Sequence, residues 1–215
     1  MRYTLLVSER VLGVLGGNDV VVEHLVSWCR SADVIYATDS GADRIIALGF
    51  APVVVGDFDS FSSLDAAAHL RLEQSSCQDT TDCDKLLRLA VQDGHRSITI
   101  AASEGDLPDH VLSTFFSALR SDITVRFAFR RGLGSLVNGG REQTVSTSTG
   151  QRVSLMPLTS CHGVSLSGTR WPLTSEDIAP EGLVSISNEA LGSEVSVRIE
   201  SGSALLFIET GEIYW

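Results

Sequence analysis

Residues 34–60 read VIYATDSGADRIIALGFAPVVVGDFDS, and this stretch decides the fold. It contains two short apolar runs, Val34–Thr38 and Pro52–Val55, each followed by an acidic loop. An amphipathic segment, Gly41–Leu48, lies between them. Short apolar runs that alternate with helical periodicity predict parallel strands joined by helical crossovers. We therefore predict an α/β domain around this stretch.

The same alternation continues on both sides. Apolar runs at Val11–Leu15 and Ser97–Ala101 predict two further strands. The N-terminal stretch before them is broken by charged residues and indicates strand material rather than a signal peptide. Helical periodicity predicts crossovers at Asp19–Arg30, Leu64–Leu72, Thr81–Gln92 and Pro108–Arg120. The N-terminal part is therefore predicted to be an α/β domain with a mostly parallel sheet.

The pattern changes near residues 121–123. Helical periodicity stops, and short alternating runs punctuated by Gly, Ser and Asn follow. They are Thr124–Phe129, Gly134–Val137, Gln143–Thr147, Arg152–Met156, Gly163–Ser167, Glu194–Ile199 and Ala204–Glu209. This pattern is typical of an antiparallel sandwich or barrel. We divide the chain into an α/β domain, residues 1–122, and an all-β sandwich, residues 123–215.

The composition of the 215 residues limits the class of protein. The apolar fraction of 43% argues against disorder, and the net charge of −11 argues against a nucleic-acid ligand, which attracts basic surfaces. No apolar run approaches the roughly 18 residues of a membrane span. Four dispersed cysteines without a C-x-x-C pair indicate a reducing compartment and no zinc site. We expect a cytoplasmic protein without P-loop or dinucleotide-binding signatures, which binds neither nucleic acid nor membrane.

Acidic residues concentrate where the predicted strands end. Twelve of the fifteen aspartates lie between Asp33 and Asp109. Three strands lead into the acidic segments DSGAD (39–43), GDFDS (56–60) and EGDLPDH (104–110). Ligands of open parallel sheets bind beyond the carboxyl ends of the strands. We therefore expect these acids to gather at one edge of the sheet.

Asp57 and Asp59 are the clearest metal ligands of this edge. In an extended backbone their side chains point to the same side, with Phe58 turned into the protein. Two carboxylates held this close repel each other unless a cation lies between them, and oxygen ligands of this charge suit Mg²⁺. A solvent-exposed turn explains the same residues without a function. The acids at neighbouring strand ends favour the metal site.

The segment QDTTDCDK (78–85) leads into the helix predicted at Thr81–Gln92. Thr81 and Asp84 have the spacing of a capping box, and Asp82 complements the helix dipole, so capping alone explains these residues. It does not explain Lys85, the only lysine of the chain, because a cation in the first turn opposes the dipole. Phosphate oxygens at the helix N-terminus reverse that sign. This supports a nucleoside triphosphate as ligand.

In order and spacing these motifs resemble those of the thiamine pyrophosphokinase family. In the first domain the matches are DSGAD (39–43) with the family's DGGAN, GDFDS (56–60) with GDFDS, and QDTTDCDK (78–85) with QDxTDxxK. In the second domain the segments similar to the family's strands and thiamine pocket are SLMPL (154–158), GTRWPL (168–173) and ISNE (186–189). The resemblance covers the chain from about Gly16 onward.

The resemblance implies an N-terminal nucleotide-binding catalytic domain and a C-terminal sandwich that binds thiamine and dimerises. The implied homodimer has its active sites at the subunit interface. The implied reaction transfers diphosphate from the co-substrate ATP to thiamine in the presence of Mg²⁺, giving thiamine diphosphate and AMP. By motif position, the implied residues are the catalytic and metal-binding Asp57, Asp59 and Asp82, the nucleotide-binding Asp39, Gln78, Thr81, Lys85, Asp109 and His110, and the thiamine-binding Trp171, Ser187 and Asn188.

Trp171 fits this assignment chemically. The thiazolium of thiamine is a permanent cation, and the face of a Trp ring attracts both cations and aromatic rings. A tryptophan buried in the sandwich explains the residue without any ligand, and burial is the commoner outcome for aromatic side chains. The hairpin-like segment GTRWP (168–172) favours a position at the rim.

Three departures from the family's pattern leave other functions open. Leu107 stands where the family's GGRxDH motif has Arg, although Asp109 and His110 remain. Ser40 and Asp43 replace a Gly and an Asn, which adds negative charge and backbone stiffness. One alternative is a metal-dependent phosphohydrolase or a kinase that acts on another alcohol. The other is a non-catalytic thiamine sensor.

Overall fold

The computed structural model describes residues 9–59, 61–63, 65, 67–77 and 79–210. Contacts between Cα atoms divide the chain into two compact units, Met1–Thr124 and Val125–Trp215. Among the residues described, no helix has the length and apolar character needed to cross a membrane.

Five strands of the first unit form a parallel sheet. They are β1 (Val11–Val14), β2 (Val34–Thr38), β3 (Val53–Gly56), β4 (Leu72–Gln74) and β5 (Ser97–Ala101). Their order is β5-β1-β2-β3-β4, and each neighbouring pair is parallel. The chain runs from β1 to one side and returns to β5 on the other, so the switch point of the sheet lies between β1 and β5. The predicted mostly parallel sheet is confirmed.

In the described part of the same unit there are four helices: α1 (Val22–Ser31), α2 (Asp39–Ile46), α3 (Asp82–Gln92) and α4 (Pro108–Arg120). The prediction of a helix at Leu64–Leu72 is wrong for the residues of this segment that the structure describes. The Ala67 amide donates to the Ser63 carbonyl at 2.9 Å, and the Leu70 amide donates to the Ala67 carbonyl at 2.8 Å. These residues form turns and not a continuous helix. The end of this segment pairs with β3 as strand β4, so sheet pairing overrides the helical propensity of an Ala-rich run.

The start of α3 is stabilised by the capping box. The Thr81 hydroxyl accepts from the Asp84 amide at 3.1 Å, and the Asp84 carboxylate accepts from the Thr81 amide at 3.0 Å. Arg120 on α4 donates to the same carboxylate at 2.8 Å. Burial alone would raise the pKa of Asp84, but the hydrogen bonds from Arg120 and Thr81 outweigh it and hold the pKa below its usual value.

We expect Asp84→Asn to lower the free energy of unfolding by about 1–2 kcal/mol at pH 7, because the variant loses the ion pair and weakens the cap. A carboxylate with a lowered folded-state pKa stabilises the protein above its unfolded pKa. That stabilisation disappears as pH falls through the folded pKa, so the two proteins converge in acid. Urea unfolding at several pH values measures this. The exposed control Asp65→Asn is expected to change little, and an equal loss in both variants contradicts the interpretation.

Among the described residues the second unit contains nine strands, of which the first is β6 (Thr124–Phe129). The others are β7 (Gly132–Asn138), β8 (Glu142–Ser146), β9 (Arg152–Pro157), β10 (Cys161–Ser167), β11 (Leu173–Ile178), β12 (Ser185–Glu189), β13 (Glu194–Arg198) and β14 (Ser203–Glu209). One antiparallel group has the order β12-β9-β14-β7-β6, and the other has the order β11-β10-β13-β8.

Apolar side chains from both antiparallel groups pack into one core. Leu155 and Leu206 come from the first group, and Leu166 and Val197 come from the second; all four are at most 1% exposed. The predicted all-β sandwich is confirmed. The sequence pattern did not reveal β11 and β12, because both are polar edge strands whose irregular register interrupts the apolar alternation.

Candidate functional site

Asp39 lies at the carboxyl end of β2 and starts α2. The residue is 2% exposed, and its Oδ2 accepts from the Phe58 amide at 2.9 Å. Its Oδ1 is buried and has no hydrogen-bond partner among the residues that the structure describes. Burial raises the pKa of Asp39 to about 6; the Phe58 amide opposes this shift, and the nearby carboxylates of Asp82, Asp57 and Asp59 reinforce it. A buried carboxylate oxygen without a partner, surrounded by like charge, favours a bound cation.

Two further carboxylates complete what we call the aspartate triad, consisting of Asp39, Asp57 and Asp59. One oxygen from each lies within 4.8 Å of the others, and burial decreases along the triad from Asp39 to Asp59. The glycine at position 56 is required, because a Cβ there would overlap the Asp39 carboxylate. The triad therefore forms at the carboxyl ends of β2 and β3, where the sequence placed the acidic edge.

The route by which Asp57 and Asp59 converge differs from the extended backbone that we expected. β3 ends at Gly56, and Phe58 adopts a φ of 65°, in the left-handed region that non-glycine residues rarely occupy. The Phe58 ring lies 5.9 Å from the ring of the buried Phe61, between centroids. Strained backbone of this kind is retained where the surrounding structure requires it, often at functional sites.

Lys85 and Asp82 lie beside the triad on the first turn of α3. Lys85 is 7% exposed, and its Nζ donates to Asp82 Oδ1 at 2.8 Å. Burial alone would lower the pKa of Lys85, but the hydrogen bond that Lys85 donates to Asp82 and the charges of Asp82, Asp57 and Asp39 raise it. Lys85 is therefore a buried cation surrounded by carboxylates. Asp82 is electrostatically part of the site, but its carboxylate is bound to Lys85 instead of belonging to the triad.

Asp43 connects α2 to the loop that follows the triad. Its carboxylate accepts from the Ser62 amide at 3.0 Å, the Ser62 hydroxyl at 2.7 Å and the Ser63 amide at 2.9 Å. Burial opposes ionisation, but these hydrogen bonds lower the pKa of Asp43 below its usual value. The negative charge that Asp43 adds is therefore stabilised by hydrogen bonds from Ser62 and Ser63, and these bonds fix the loop that follows Asp59.

The loops after β1 and β5 meet at the switch point. The Gly17 amide donates to the Ala102 carbonyl at 2.8 Å, and the Asn18 amide donates to the Gly105 carbonyl at 3.3 Å. Gly17 has no room for a Cβ, which would overlap the backbone of the facing loop. Arg44 donates to the carbonyl oxygens of Gly17 and Val20 and fixes the first loop against α2.

The remaining nucleotide-binding candidates differ in exposure and in hydrogen bonding. Leu107, at the position of the family's Arg, is 60% exposed, and Asp109 and His110 are exposed as well, with His110 Nδ1 3.1 Å from Asp106. Thr81 is used by the capping box, and its hydroxyl also lies 3.1 Å from that of Ser117, beside a cavity of about 570 Å³ on the α3–α4 side. Gln78 lies outside the described residues.

In the second unit, Trp171 is 57% exposed, so the buried-core alternative for this residue is wrong. Ser187 is exposed with a φ of 58°. Asn188, by contrast, is 3% exposed, and its side chain bonds to the backbone of Trp171. Of the three thiamine-binding candidates, Trp171 and Ser187 therefore face solvent and Asn188 does not.

A parallel sheet carries an aspartate triad at the carboxyl ends of two strands, and these three carboxylates could hold a metal ion, so the first unit is an α/β unit with a candidate cation site. Two family models match the chain: the thiamin pyrophosphokinase catalytic domain at residues 25–127 and the thiamin pyrophosphokinase vitamin B1 binding domain at residues 141–206. The chain therefore belongs to the thiamin pyrophosphokinase family, as the motifs indicated.

Individual relatives agree with this assignment. The thiamine pyrophosphokinase of Bacillus subtilis (strain 168) is 23% identical over 208 residues, which cover 92% of this chain and 97% of that protein. A crystal structure of thiamine pyrophosphokinase from Bacillus subtilis has a TM-score of 0.79 at 22% identity and covers 94% of this chain and 100% of that one. Thiamin pyrophosphokinase from Candida albicans has a TM-score of 0.77 at 16% identity and covers 94% and 89%. These structures share the fold.

Proposed function

We propose that the protein transfers diphosphate from ATP to the hydroxyl of thiamine, giving thiamine diphosphate and AMP. The observation that carries this proposal is the aspartate triad with its unpartnered Asp39 oxygen, located in the part that matches the family's catalytic domain. The exposed Trp171 lies in the part that matches the vitamin B1 binding domain.

The donor set of the triad fits Mg²⁺, a hard cation that prefers carboxylate oxygens and usually retains positions for substrate phosphates. Asp39, Asp57 and Asp59 are the residues that would hold it. When bound, the ion would neutralise phosphate charge during diphosphate transfer. The chain itself supplies rigidity: Phe58 anchors Asp39, Gly56 leaves room for its carboxylate, and Asp82 keeps Lys85 in place.

Lys85 is the residue that we propose for direct contact with the nucleotide's phosphates. It is charged, and as a point cation it suits phosphate oxygens at the N-terminus of α3. Asp39, Gln78, Thr81, Asp109 and His110 are retained as nucleotide-binding candidates on motif position. The cap explains the contacts of Thr81, which makes it the weakest of them.

The thiamine half of the proposal depends on Trp171 and Ser187. An exposed indole face attracts a thiazolium cation, and the net charge of −11 favours cationic ligands generally. Ser187 is an exposed residue of β12, and its hydroxyl is a second candidate contact for thiamine. Asn188, which the motif position also implied, is buried, and its side chain is hydrogen-bonded to the backbone of Trp171.

We also propose that residues 1–122 are the catalytic domain and residues 123–215 the thiamine-binding and dimerisation domain of a cytoplasmic homodimer with active sites at the subunit interface. Four free cysteines support a reducing compartment. Exposed apolar side chains in the second unit, among them Leu183, Ile186 and Leu191 at 49–58% exposure, support an interface. Sedimentation at micromolar concentration tests the dimer, and a monomer at every concentration contradicts it.

The experiment that tests the function measures AMP release from ATP and Mg²⁺ with and without thiamine. The proposal expects AMP and thiamine diphosphate in equal amounts, only when thiamine is present. Phosphate release with water alone would instead identify the phosphohydrolase. The exposed Leu107 specifically favours the sensor, which would bind thiamine in calorimetry but form no AMP at any Mg²⁺ concentration.

Asp43→Ala is expected to weaken metal binding by about tenfold, because the loop next to Asp59 loses three hydrogen bonds and the triad loses its support. Asp43→Asn retains one acceptor oxygen and is expected to lie between wild type and Asp43→Ala. The measurement is the Mg²⁺ dependence of AMP formation at saturating thiamine. Identical Mg²⁺ curves for all three proteins would show that Asp43 does not position the triad.

A further inference from the structure

The side chain of Asn188 is saturated with hydrogen bonds inside the protein. Its Oδ1 accepts from the amides of Trp171 at 3.1 Å and Glu189 at 2.9 Å. Its Nδ2 donates to the Trp171 carbonyl at 2.7 Å and to the Ser185 hydroxyl at 3.2 Å. A carboxamide has two donors and two principal acceptor positions, so none remains for a ligand. At 3% exposure, Asn188 holds the backbone of Trp171 from both sides.

A bulge in β12 allows this arrangement. The pairing of β12 with β9 shifts register between Ser185 and Asn188. Ser187 occupies the left-handed region at φ 58°, and its amide donates to the Ser154 hydroxyl at 3.0 Å. Consequently the alternation of the strand is interrupted: Ile186 and Ser187 are both exposed, and Asn188 is buried.

The ring of Trp171 has a second support. The Arg170 guanidinium carbon lies over the indole, 5.2 Å from its centroid. An Arg170 Nη1 lies 3.3 Å from Glu189 Oε2, and the Arg170 amide donates to the Glu189 carbonyl at 2.8 Å. One face of the indole is therefore occupied by a cation whose charge Glu189 compensates. An incoming aromatic ring has the other face available.

We propose that Asn188, Arg170 and Glu189 form a tryptophan mount, which fixes Trp171 so that one indole face receives the aromatic cation. Asn188 orients the backbone, Arg170 covers the opposite face, and Glu189 shields the ligand from the positive charge of Arg170. All three are positioning residues that act through Trp171. The identification of that cation as thiamine rests on the proposed function, whereas the mount itself rests on the contacts above.

The charge relationship gives a test by calorimetric titration with thiamine. Glu189→Gln leaves the Arg170 charge uncompensated beside a cationic ligand. It is therefore expected to raise the dissociation constant for thiamine by about two- to fivefold, and by more at low salt. Adding Arg170→Gln to Glu189→Gln is expected to recover most of this loss. The control Arg198→Gln, an exposed arginine of the same unit, is expected to leave the constant unchanged. No recovery in the double variant overturns the charge-shielding role.

A double-mutant cycle tests whether the mount acts through the indole. Asn188→Ala is expected to weaken thiamine binding by about fivefold or more in the wild-type background and to have no further effect in Trp171→Leu. Should Asn188→Ala not fold, Asn188→Ser, which keeps one small hydrogen-bonding group at this position, takes its place in the cycle. If the losses of thiamine affinity caused by Asn188→Ala and Trp171→Leu are additive, the tryptophan mount is overturned. The proposed function is upheld in that case if the wild type still forms AMP. A wild type that neither binds thiamine nor forms AMP overturns both.

Discussion

Asp39→Asn is expected to lower kcat/KM for AMP formation at least about 100-fold and at the same time to stabilise the protein. Activity falls because the variant loses the buried carboxylate charge of the aspartate triad, which the metal and its bound phosphates require. Stability rises because the ionised Asp39 is buried beside three other carboxylates, and its folded pKa of about 6 is above the usual value.

The size of the stability effect depends on pH. An acid whose pKa is raised by folding destabilises the folded state once pH exceeds its folded pKa, and this cost disappears as pH falls towards its unfolded pKa. In metal-free buffer with a chelator, Asp39→Asn is therefore expected to be more stable than wild type by about 1–3 kcal/mol at pH 7.5 and by less at pH 5. Urea unfolding measures both points.

The exposed control Glu194→Gln is expected to change neither activity nor stability appreciably. An Asp39→Asn variant that loses stability along with activity would show that the residue holds the fold and does not primarily bind a cation. Full activity in this variant would remove Asp39 from the site.

Trp171→Ala is expected to raise the KM for thiamine at least about tenfold while changing kcat by less than about threefold. Stacking and cation–π attraction to an exposed indole contribute on the order of 1–2 kcal/mol, and about 1.4 kcal/mol corresponds to a tenfold change in binding. The binding contribution is the same in the ground state and the transition state, so the effect appears in KM. Steady-state kinetics with varied thiamine at saturating ATP and Mg²⁺ give both parameters.

Trp171→Phe is the matched variant, because it retains an aromatic face with a weaker cation–π attraction. We expect it to lie between wild type and Trp171→Ala. Since Trp171 is already exposed, neither change is expected to lower stability by more than about 0.5 kcal/mol. An unchanged thiamine KM in Trp171→Ala would locate the substrate elsewhere.

Much of the first unit was predictable, because its strands are buried on both faces and its helices carry strong periodicity. Val34–Thr38, Ser97–Ala101 and Pro108–Arg120 have the predicted bounds. Leu72–Gln74 was not predictable, because three residues with mixed polarity acquire strand structure only by pairing with β3. In the second unit the polar edge strands β11 and β12 lack the alternation that identifies a strand.

The site was predictable in composition but not in geometry. The acidic strand ends indicated where the carboxylates gather. The family's motifs assigned Asp57, Asp59 and Asp82 to the metal, whereas the structure groups Asp57 and Asp59 with Asp39. The left-handed conformation of Phe58, between Asp57 and Asp59, and the packing of its ring against Phe61 are not encoded in the sequence spacing. The burial of Asn188 is equally hidden, because it depends on a bulge between two polar residues.

We expect the three carboxylates of the aspartate triad, which follow the two neighbouring strands β2 and β3, to hold one divalent cation. Titration of the metal-free protein with Mn²⁺, followed by electron paramagnetic resonance, tests it most directly, since Mn²⁺ shares the oxygen preference of Mg²⁺. We predict one site per chain in wild type, weakened at least about tenfold in Asp57→Asn and in Asp39→Asn and unchanged in Asp65→Asn. Equal Mn²⁺ binding by wild type and the two triad variants would contradict the account.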